Sequence, residues 1–217
     1  VLPMLVEDFL GGNTARAATI FGVFGTVWAL MQFGFAPILG ALSDQWGRRP
    51  IILISCAGLG LDYVFMALAP TLGWLFVGRV ISGVTAASFS TAGAYIADVT
   101  PIEKRAAGFG MIGAAFGLGF VLGPALGGVL GAIDSRLPFW VAAGLALANA
   151  AYGYFVLPES LPVERRKAFS WSRVNPLGSL RLLRSHRELF GIATVSVFYY
   201  LAHHVLPSVF VLYGSYR

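Results

Sequence analysis

Long apolar stretches separated by short polar connections make up most of the chain. Six of them, 17–42, 50–69, 72–97, 108–133, 138–157 and 189–212, reach or approach membrane-spanning length. A helix needs about 20 apolar residues to cross a hydrocarbon core of ~30 Å. The pattern therefore predicts six membrane-spanning helices, with residues 1–5 as the end of an earlier one. Because the chain begins at Val1 and ends at Arg217 just after an apolar stretch, we expect a piece of a longer protein.

The polar connections between these stretches alternate in charge. Connections 43–49, 100–106 and 158–188 carry eleven Lys and Arg residues, whereas 7–16, 70–71 and 134–137 carry two. Basic residues accumulate in the cytoplasmic loops of membrane proteins. The first set is therefore predicted to be cytoplasmic and the second set external.

These features predict an all-α membrane protein in three parts. Residues 1–157 form an N-terminal transmembrane bundle, 158–188 a cytoplasmic linker, and 189–217 the first helix of a second bundle. Leucines within 179–187 are spaced as in an amphipathic helix lying on a membrane surface. A plain solvated linker explains the same residues equally well.

The amino-acid composition excludes several classes of protein. The chain is 57% hydrophobic and 12% charged, whereas soluble domains carry about 25% charged residues. Its net charge of +5 comes from basic residues that flank apolar stretches, so no nucleic acid partner is expected. A single cysteine, Cys56, excludes an internal disulfide. Neither an enzyme nor a metal site is predicted, since no nucleophile–base pair or ligand cluster occurs.

The first basic connection carries charges of both signs. Asp44 ends one apolar stretch, Gly47 lies in the turn, and Arg48 and Arg49 open the next stretch. Asp98 ends the stretch 72–97 at the same predicted membrane edge, where partial desolvation strengthens attraction between opposite charges. We predict that Asp44, Arg48 and Asp98 form a cytoplasmic cluster; the alternatives are a stop-transfer signal and a solvated helix end.

Two ionisable residues lie inside apolar stretches. Asp62 is eight residues before Pro70, and Arg79 is eight residues after Thr71, so both lie ~12 Å below one turn. An ionisable group in hydrocarbon costs ~3 kcal/mol or more and usually marks a functional site. We predict that Asp62 and Arg79 are functional neighbours, unless they face different sides of their helices or Arg79 extends to the surface.

The stretch 108–133 carries a regular glycine pattern. Glycines recur every four residues, at Gly119, Gly123, Gly127 and Gly131, and Pro124 and Gly128 lie among them. Such a face favours close helix packing, and proline bends a helix. The simplest explanation is ordinary packing between membrane helices.

Other polar residues in apolar stretches are weaker candidates. Gln32, His203 and His204 are candidates for lining a cavity. The two histidines point about 100° apart on a helix, so a metal site formed by this pair is not expected. A bond between helices is the more ordinary role for Gln32.

Several of these strings resemble signatures of the major facilitator superfamily. The connection from Gly40 to Arg49 resembles its loop 2–3 signature, with Gln45 where the family has a basic residue. The surroundings of Arg79 resemble its helix-4 motif. The string Gly123-Pro124 followed by Gly127-Gly128 resembles the helix-5 motif of antiporters in this superfamily.

Other strings are similar to the tetracycline-efflux group of drug:proton antiporters. They are Gly47-Arg48-Arg49-Pro50, Leu61-Asp62-Tyr63, Ala94-Tyr95-Ile96-Ala97-Asp98, Leu157-Pro158-Glu159-Ser160 and Leu201-Ala202-His203. The resemblance implies the N-terminal half of a twelve-helix protein that exports an amphipathic drug in exchange for a proton by alternating access. It implies that Arg79 takes part in proton coupling and that Asp98 engages Arg48.

The resemblance also sets expectations for location and partners. It implies a protein of the bacterial inner membrane that contacts the lipid bilayer and binds a small-molecule drug as its substrate. It also implies the proton as coupling ion without another cofactor, and a monomer when full length. Two alternatives stay open: a symporter of this superfamily that imports a nutrient, and a truncated membrane protein that does not transport.

Overall fold

The chain folds into helices joined by short connections. The computed structural model describes residues 2–86, 89–171, 174 and 187–216, and in the last helix the side chains of 188–202. No strand occurs among these residues. The predicted amphipathic segment 179–187 lies almost wholly outside the described residues, so its conformation stays a prediction.

Eight α-helices are described. In chain order they are α1 (Leu2–Phe9), α2 (Thr14–Trp46), α3 (Arg48–Leu68), α4 (Leu72–Ala86), α5 (Phe89–Val99), α6 (Arg105–Ile133), α7 (Leu137–Val156) and α8 (Arg187–Tyr216). Short 3₁₀ turns at Ile102–Lys104 and Val163–Arg165 lie in two connections.

Five stretches of the described residues are long and apolar enough to cross a membrane: Thr14–Trp46, Arg48–Leu68, Leu72–Val99, Ile102–Ile133 and Leu137–Val156. Helices α4 and α5 share the third of them. In α8, the apolar part with described side chains is shorter, Glu188–Ala202. The predicted all-α membrane fold is confirmed, and each predicted span coincides with a helix or a helix pair.

Glycines set two of the turns between helices. Gly11 and Gly12 have φ of 62° and 85°, and Gly47 has φ of 108°, all in the region that side chains other than glycine rarely adopt. Gly47 is the only residue between α2 and α3. It therefore reverses the chain in a single step and places the end of α2 beside the start of α3.

The buried core lies at the end of the bundle that carries Pro70. Leu5, Val6, Met66, Leu75 and Phe139, from α1, α3, α4 and α7, form much of it. Helix α3 packs chiefly on α7, and α2 on α4. Large apolar side chains cover much of the outer surface, which suits contact with lipid but not with water.

Candidate functional site

A charged cluster, which we define as Ser43, Asp44, Arg48, Asp98 and Ser160, lies where α2, α3 and α5 meet. Arg48 Nη1 is 2.6 Å from Asp44 Oδ1, and Arg48 Nε is 3.3 Å from Asp98 Oδ2. Arg48 also donates to Ser43 Oγ at 2.6 Å, and Ser160 Oγ donates to Asp98 at 3.4 Å. The structure thus brings together the three charged residues that the sequence placed at one membrane edge.

Of the other three residues predicted for this loop, Gly47 forms the turn between α2 and α3, and Arg49 and Gly40 make none of the ion pairs of the cluster. Arg49 points toward α7, where its guanidinium donates to the backbone carbonyl of Tyr154. The guanidinium carbon lies 5.5 Å from the centre of the Tyr154 ring. Gly40 contributes only its carbonyl oxygen, which accepts from Ser43 Oγ at 2.7 Å. Arg48 therefore carries the ion pairs of the loop, and Arg49 fastens α3 to α7.

A second site, the buried charge site, lies between α3 and α4 and contains Asp62 and Arg79. Asp62 is 2% exposed, and neither of its carboxylate oxygens accepts a hydrogen bond. Arg79 lies close enough to interact with it electrostatically, but its Nη2 donates to Met66 Sδ at 3.0 Å. Ser82, also buried, contributes at most a weak interaction with Asp62. The predicted neighbours do share one site, without a direct hydrogen bond between them.

Gly78 allows α4 to approach α3 at the buried charge site. A Cβ at this position would lie 2.7 Å from Met66 Cγ and 3.3 Å from Asp62 Oδ1. Met66 is fully buried and has little room to move. Close helix contact is therefore what removes Asp62 from solvent.

The predicted cavity residues are only partly described. Gln32 Nε2 donates to the carbonyl of Ala86, the last residue of α4, at 3.4 Å. This bond joins α2 to α4, which is the structural role that the sequence also allowed. The side chains of His203 and His204 lie outside the described residues.

Much of the glycine face of α6 has no close neighbour among the described residues. A Cβ at Gly119, Gly123 or Gly128 would meet nothing within 4 Å, whereas Gly127 is half-buried. No residue of α6 is fully buried, and the helix continues through Pro124. Within the described chain, α6 touches mainly α5, α7 and the turn before it. The expected tight contact therefore stays a prediction, because no helix of the described chain reaches Gly119, Gly123 or Gly128.

The sequence patterns did not predict the contacts of two further charged residues, although the string Leu157-Pro158-Glu159-Ser160 contains one of them. Glu159 accepts hydrogen bonds from the first backbone N–H groups of α3, and Arg136 donates to the carbonyls of Ala67 and Ala69 at its other end. Both flank α7, and each is a charged residue beside an apolar stretch. Their position at the ends of α7 could have marked them as candidates for contacts between helices, but it does not show which helix each one contacts.

The chain matches the Major Facilitator Superfamily over residues 1–216. It is 42% identical to the tetracycline resistance protein of class C from Escherichia coli, across 100% of this chain and 54% of that protein. The class G protein from Vibrio anguillarum is 39% identical across the same shares. In structure, it resembles the human organic anion transporter MFSD10 (TETRAN), with a TM-score of 0.71 and 28% identity over 84% of this chain and 49% of that chain.

The chain spans about half the length of the curated relatives it matches. The match covers the charged cluster and the buried charge site, and the helices are those of a multi-pass membrane protein. Sequence, helical architecture and structural likeness agree, so the chain belongs to the Major Facilitator Superfamily.

Proposed function

We propose that the chain is part of a proton-coupled transporter that exports an amphipathic drug of the tetracycline type by alternating access. Its relatives include six classes of tetracycline resistance protein. Antibiotic efflux is the proposal that best joins these relatives to an apolar helical bundle with an ionisable site in its interior.

The observation that carries proton coupling is the environment of Asp62. A buried carboxylate that accepts no hydrogen bond is costly as an anion. Two states relieve that cost: Asp62 binds a proton, or Asp62 is ionised and balanced by the charge of Arg79. A group that alternates between these states can exchange a proton each time the transporter changes the side to which it is open.

The charged cluster supplies the second part of the mechanism. It joins α2, α3 and α5 at the end of the bundle that the basic connections predict to be cytoplasmic. We propose that these ion pairs stabilise the outward-facing state, in which the cytoplasmic end is closed. Opening that end would then require the cluster to loosen, which makes the ion pairs part of the barrier to transport.

The same proposal predicts the location of the protein, its oligomeric state and its coupling ion. The protein would lie in the cytoplasmic membrane of a bacterium, work as a monomer when full length, and use the proton as its coupling ion without another cofactor. Residues 158–188 would link its two bundles on the cytoplasmic side. The glycines and Pro124 of α6 would limit proton leak by packing on a helix outside the described chain.

Inside-out membrane vesicles test this proposal. With the full-length protein, respiration should drive uptake of labelled tetracycline, and a protonophore should abolish it, while vesicles without the protein stay at background. Energised uptake in right-side-out vesicles instead would identify an importer. Absence of energised flux for tetracycline and other amphipathic drugs in both orientations would contradict drug export.

A further inference from the structure

We propose that Glu159 is a positioning residue for the charged cluster, because its carboxylate holds the first turn of α3 from which Arg48 extends. The functional part of this inference rests on the proposed transport function. Arg48 N donates to Glu159 Oε1 at 2.9 Å, and Arg49 N donates to Oε2 at 3.3 Å. The residue that makes these contacts lies just beyond α7, more than 100 positions along the chain.

The first turn of α3 needs such a partner. The first N–H groups of a helix have no acceptor within the helix, and a side chain at the preceding residue usually supplies one. Here the preceding residue is Gly47, which has no side chain. Glu159 provides both acceptors together with a negative charge, which the positive end of the helix dipole favours.

The shape of the turn at Gly47 also depends on Glu159. A Cβ at Gly47 would lie 2.7 Å from the carboxyl carbon of Glu159. With φ of 108°, the residue is already in a conformation that favours glycine. The backbone conformation therefore favours glycine in this turn, and a Cβ here would force the carboxylate of Glu159 to move away from the N–H groups it binds.

The residues around Glu159 tie the end of α7 to three other helices. We call residues 158–167 the strap. The Tyr95 hydroxyl donates to the carbonyl of Pro158 at 3.1 Å, and Ser160 donates to Asp98 at 3.4 Å. Lys167 N donates to the carbonyl of Asp44 at 2.9 Å. The strap thus touches the backbone or side chain of each helix that contributes to the charged cluster.

The consequence for transport concerns the position of Arg48. Its guanidinium reaches Asp44 and Asp98 at once, which requires that the start of α3 stay fixed relative to α2 and α5. If the cap is lost, this turn loosens and the ion pairs form less often. Because drug would bind elsewhere, we expect the maximal rate of transport to fall while the apparent KM changes little.

The test compares Glu159→Ala and Glu159→Gln with Glu164→Ala, which removes an exposed acid from the same strap. Trypsin cleavage after Arg165, Arg166 and Lys167 in full-length protein reports how often the strap opens. Losing a helix cap changes an opening equilibrium about fivefold, so cleavage of Glu159→Ala should be about fivefold faster. Gln has one acceptor oxygen for two N–H groups, so Glu159→Gln should fall between Glu159→Ala and the unmodified protein.

Transport is measured on the same variants, and the maximal rate should follow the same order while Glu164→Ala matches the unmodified protein. The proposal is overturned if Glu159→Gln and Glu159→Ala both behave like Glu164→Ala in cleavage and in transport. If Glu159→Ala fails to insert, the Glu159→Gln protein still decides the question. If the unmodified protein transports no drug, the proposed function fails, whereas the order of cleavage still tests the cap.

A second pair of variants tests the contact with the turn. Gly47→Ala should lower the unfolding temperature through both backbone strain and collision with Glu159. Adding Glu159→Ala to Gly47→Ala removes the collision, so the two changes together should cost less than the sum of their separate effects. Strictly additive effects would show that Glu159 does not press on this turn and would overturn the proposal.

Discussion

Aspartates occupy two contrasting environments in this chain. Asp44 and Asp98 keep side-chain exposures of 41% and 29% and both pair with Arg48, whereas Asp62 is buried without a hydrogen-bond donor. Buried polar groups are nearly always paired in proteins. The first two residues therefore suit a structural contact, and Asp62 suits a group whose charge changes.

A double-mutant cycle should detect the pair between Arg48 and Asp98. Replacing each by Ala, singly and together, should give a coupling of about 1 kcal/mol in the free energy of unfolding, because the pair is partly shielded from solvent. The matched control is Arg49 with Asp98, where we expect a coupling near zero since Arg49 contacts Tyr154 instead. Equal couplings for the two arginines would contradict the assignment of Arg48 as the bridging residue.

For individual residues, counting along the sequence predicted the depth of a side chain in the membrane better than the direction in which the side chain points. Counting eight residues on each side of a turn placed Asp62 and Arg79 at one level, and the two do share one site between α3 and α4. It could not show that Arg79 donates to Met66, because that depends on how far each helix is rotated about its axis. The contact of Glu159 with α3 could not be predicted either, because the string Leu157-Pro158-Glu159-Ser160 does not show which helix the carboxylate meets.

Helices α3 and α4 leave little space for a side chain at Gly78. Gly78→Ala should lower the free energy of unfolding by about 1–3 kcal/mol, because its new methyl group would press on the buried Met66. Gly73→Ala, on the same helix, should be neutral or slightly stabilising because its nearest neighbour would be 3.8 Å away. Thermal unfolding of the purified variants checks this, and equal effects at both positions would contradict it.

Helix α6 presents the opposite case, a glycine face without a neighbour in the described chain. Gly123→Leu should leave expression and membrane insertion unchanged, because a Cβ there meets nothing within 4 Å. If this face seals the transporter against another helix, the same variant should lose drug efflux or leak protons without drug. Measurements of expression, efflux and proton flux separate these effects.

Gly123→Ala provides the milder control for this position and should retain most efflux. Normal coupled transport by well-inserted Gly123→Leu protein would rule out the sealing role. Misfolding of Gly123→Leu would instead show that α6 packs more tightly than the described chain indicates. The glycine pattern alone could not separate these cases, because it is the same for a face covered by its own bundle and for one covered by a partner.

Across the whole chain, the positions of the membrane-spanning helices were the most predictable feature. Apolar length located the described helices to within a few residues, although α4 and α5 were predicted as one span, because the bilayer imposes a minimum length and a hydrogen-bonded backbone. The predicted stretch 17–42 extends to Thr14–Trp46 since polar residues at both ends continue the helix. The hydrogen bonds by which the strap joins the helices at the basic end could not be predicted, because they link residues far apart in the chain.

In the proposed mechanism, Asp62 carries the proton that is exchanged for drug. The direct test uses purified full-length protein in liposomes with an acidic lumen, labelled tetracycline outside, and a pH-sensitive dye inside. The unmodified protein should accumulate drug while protons leave, above the level of protein-free liposomes. Asp62→Asn, which cannot ionise, should lose both fluxes yet still exchange labelled for unlabelled drug without a gradient. Drug accumulation and proton release by Asp62→Asn equal to those of the unmodified protein would contradict the account.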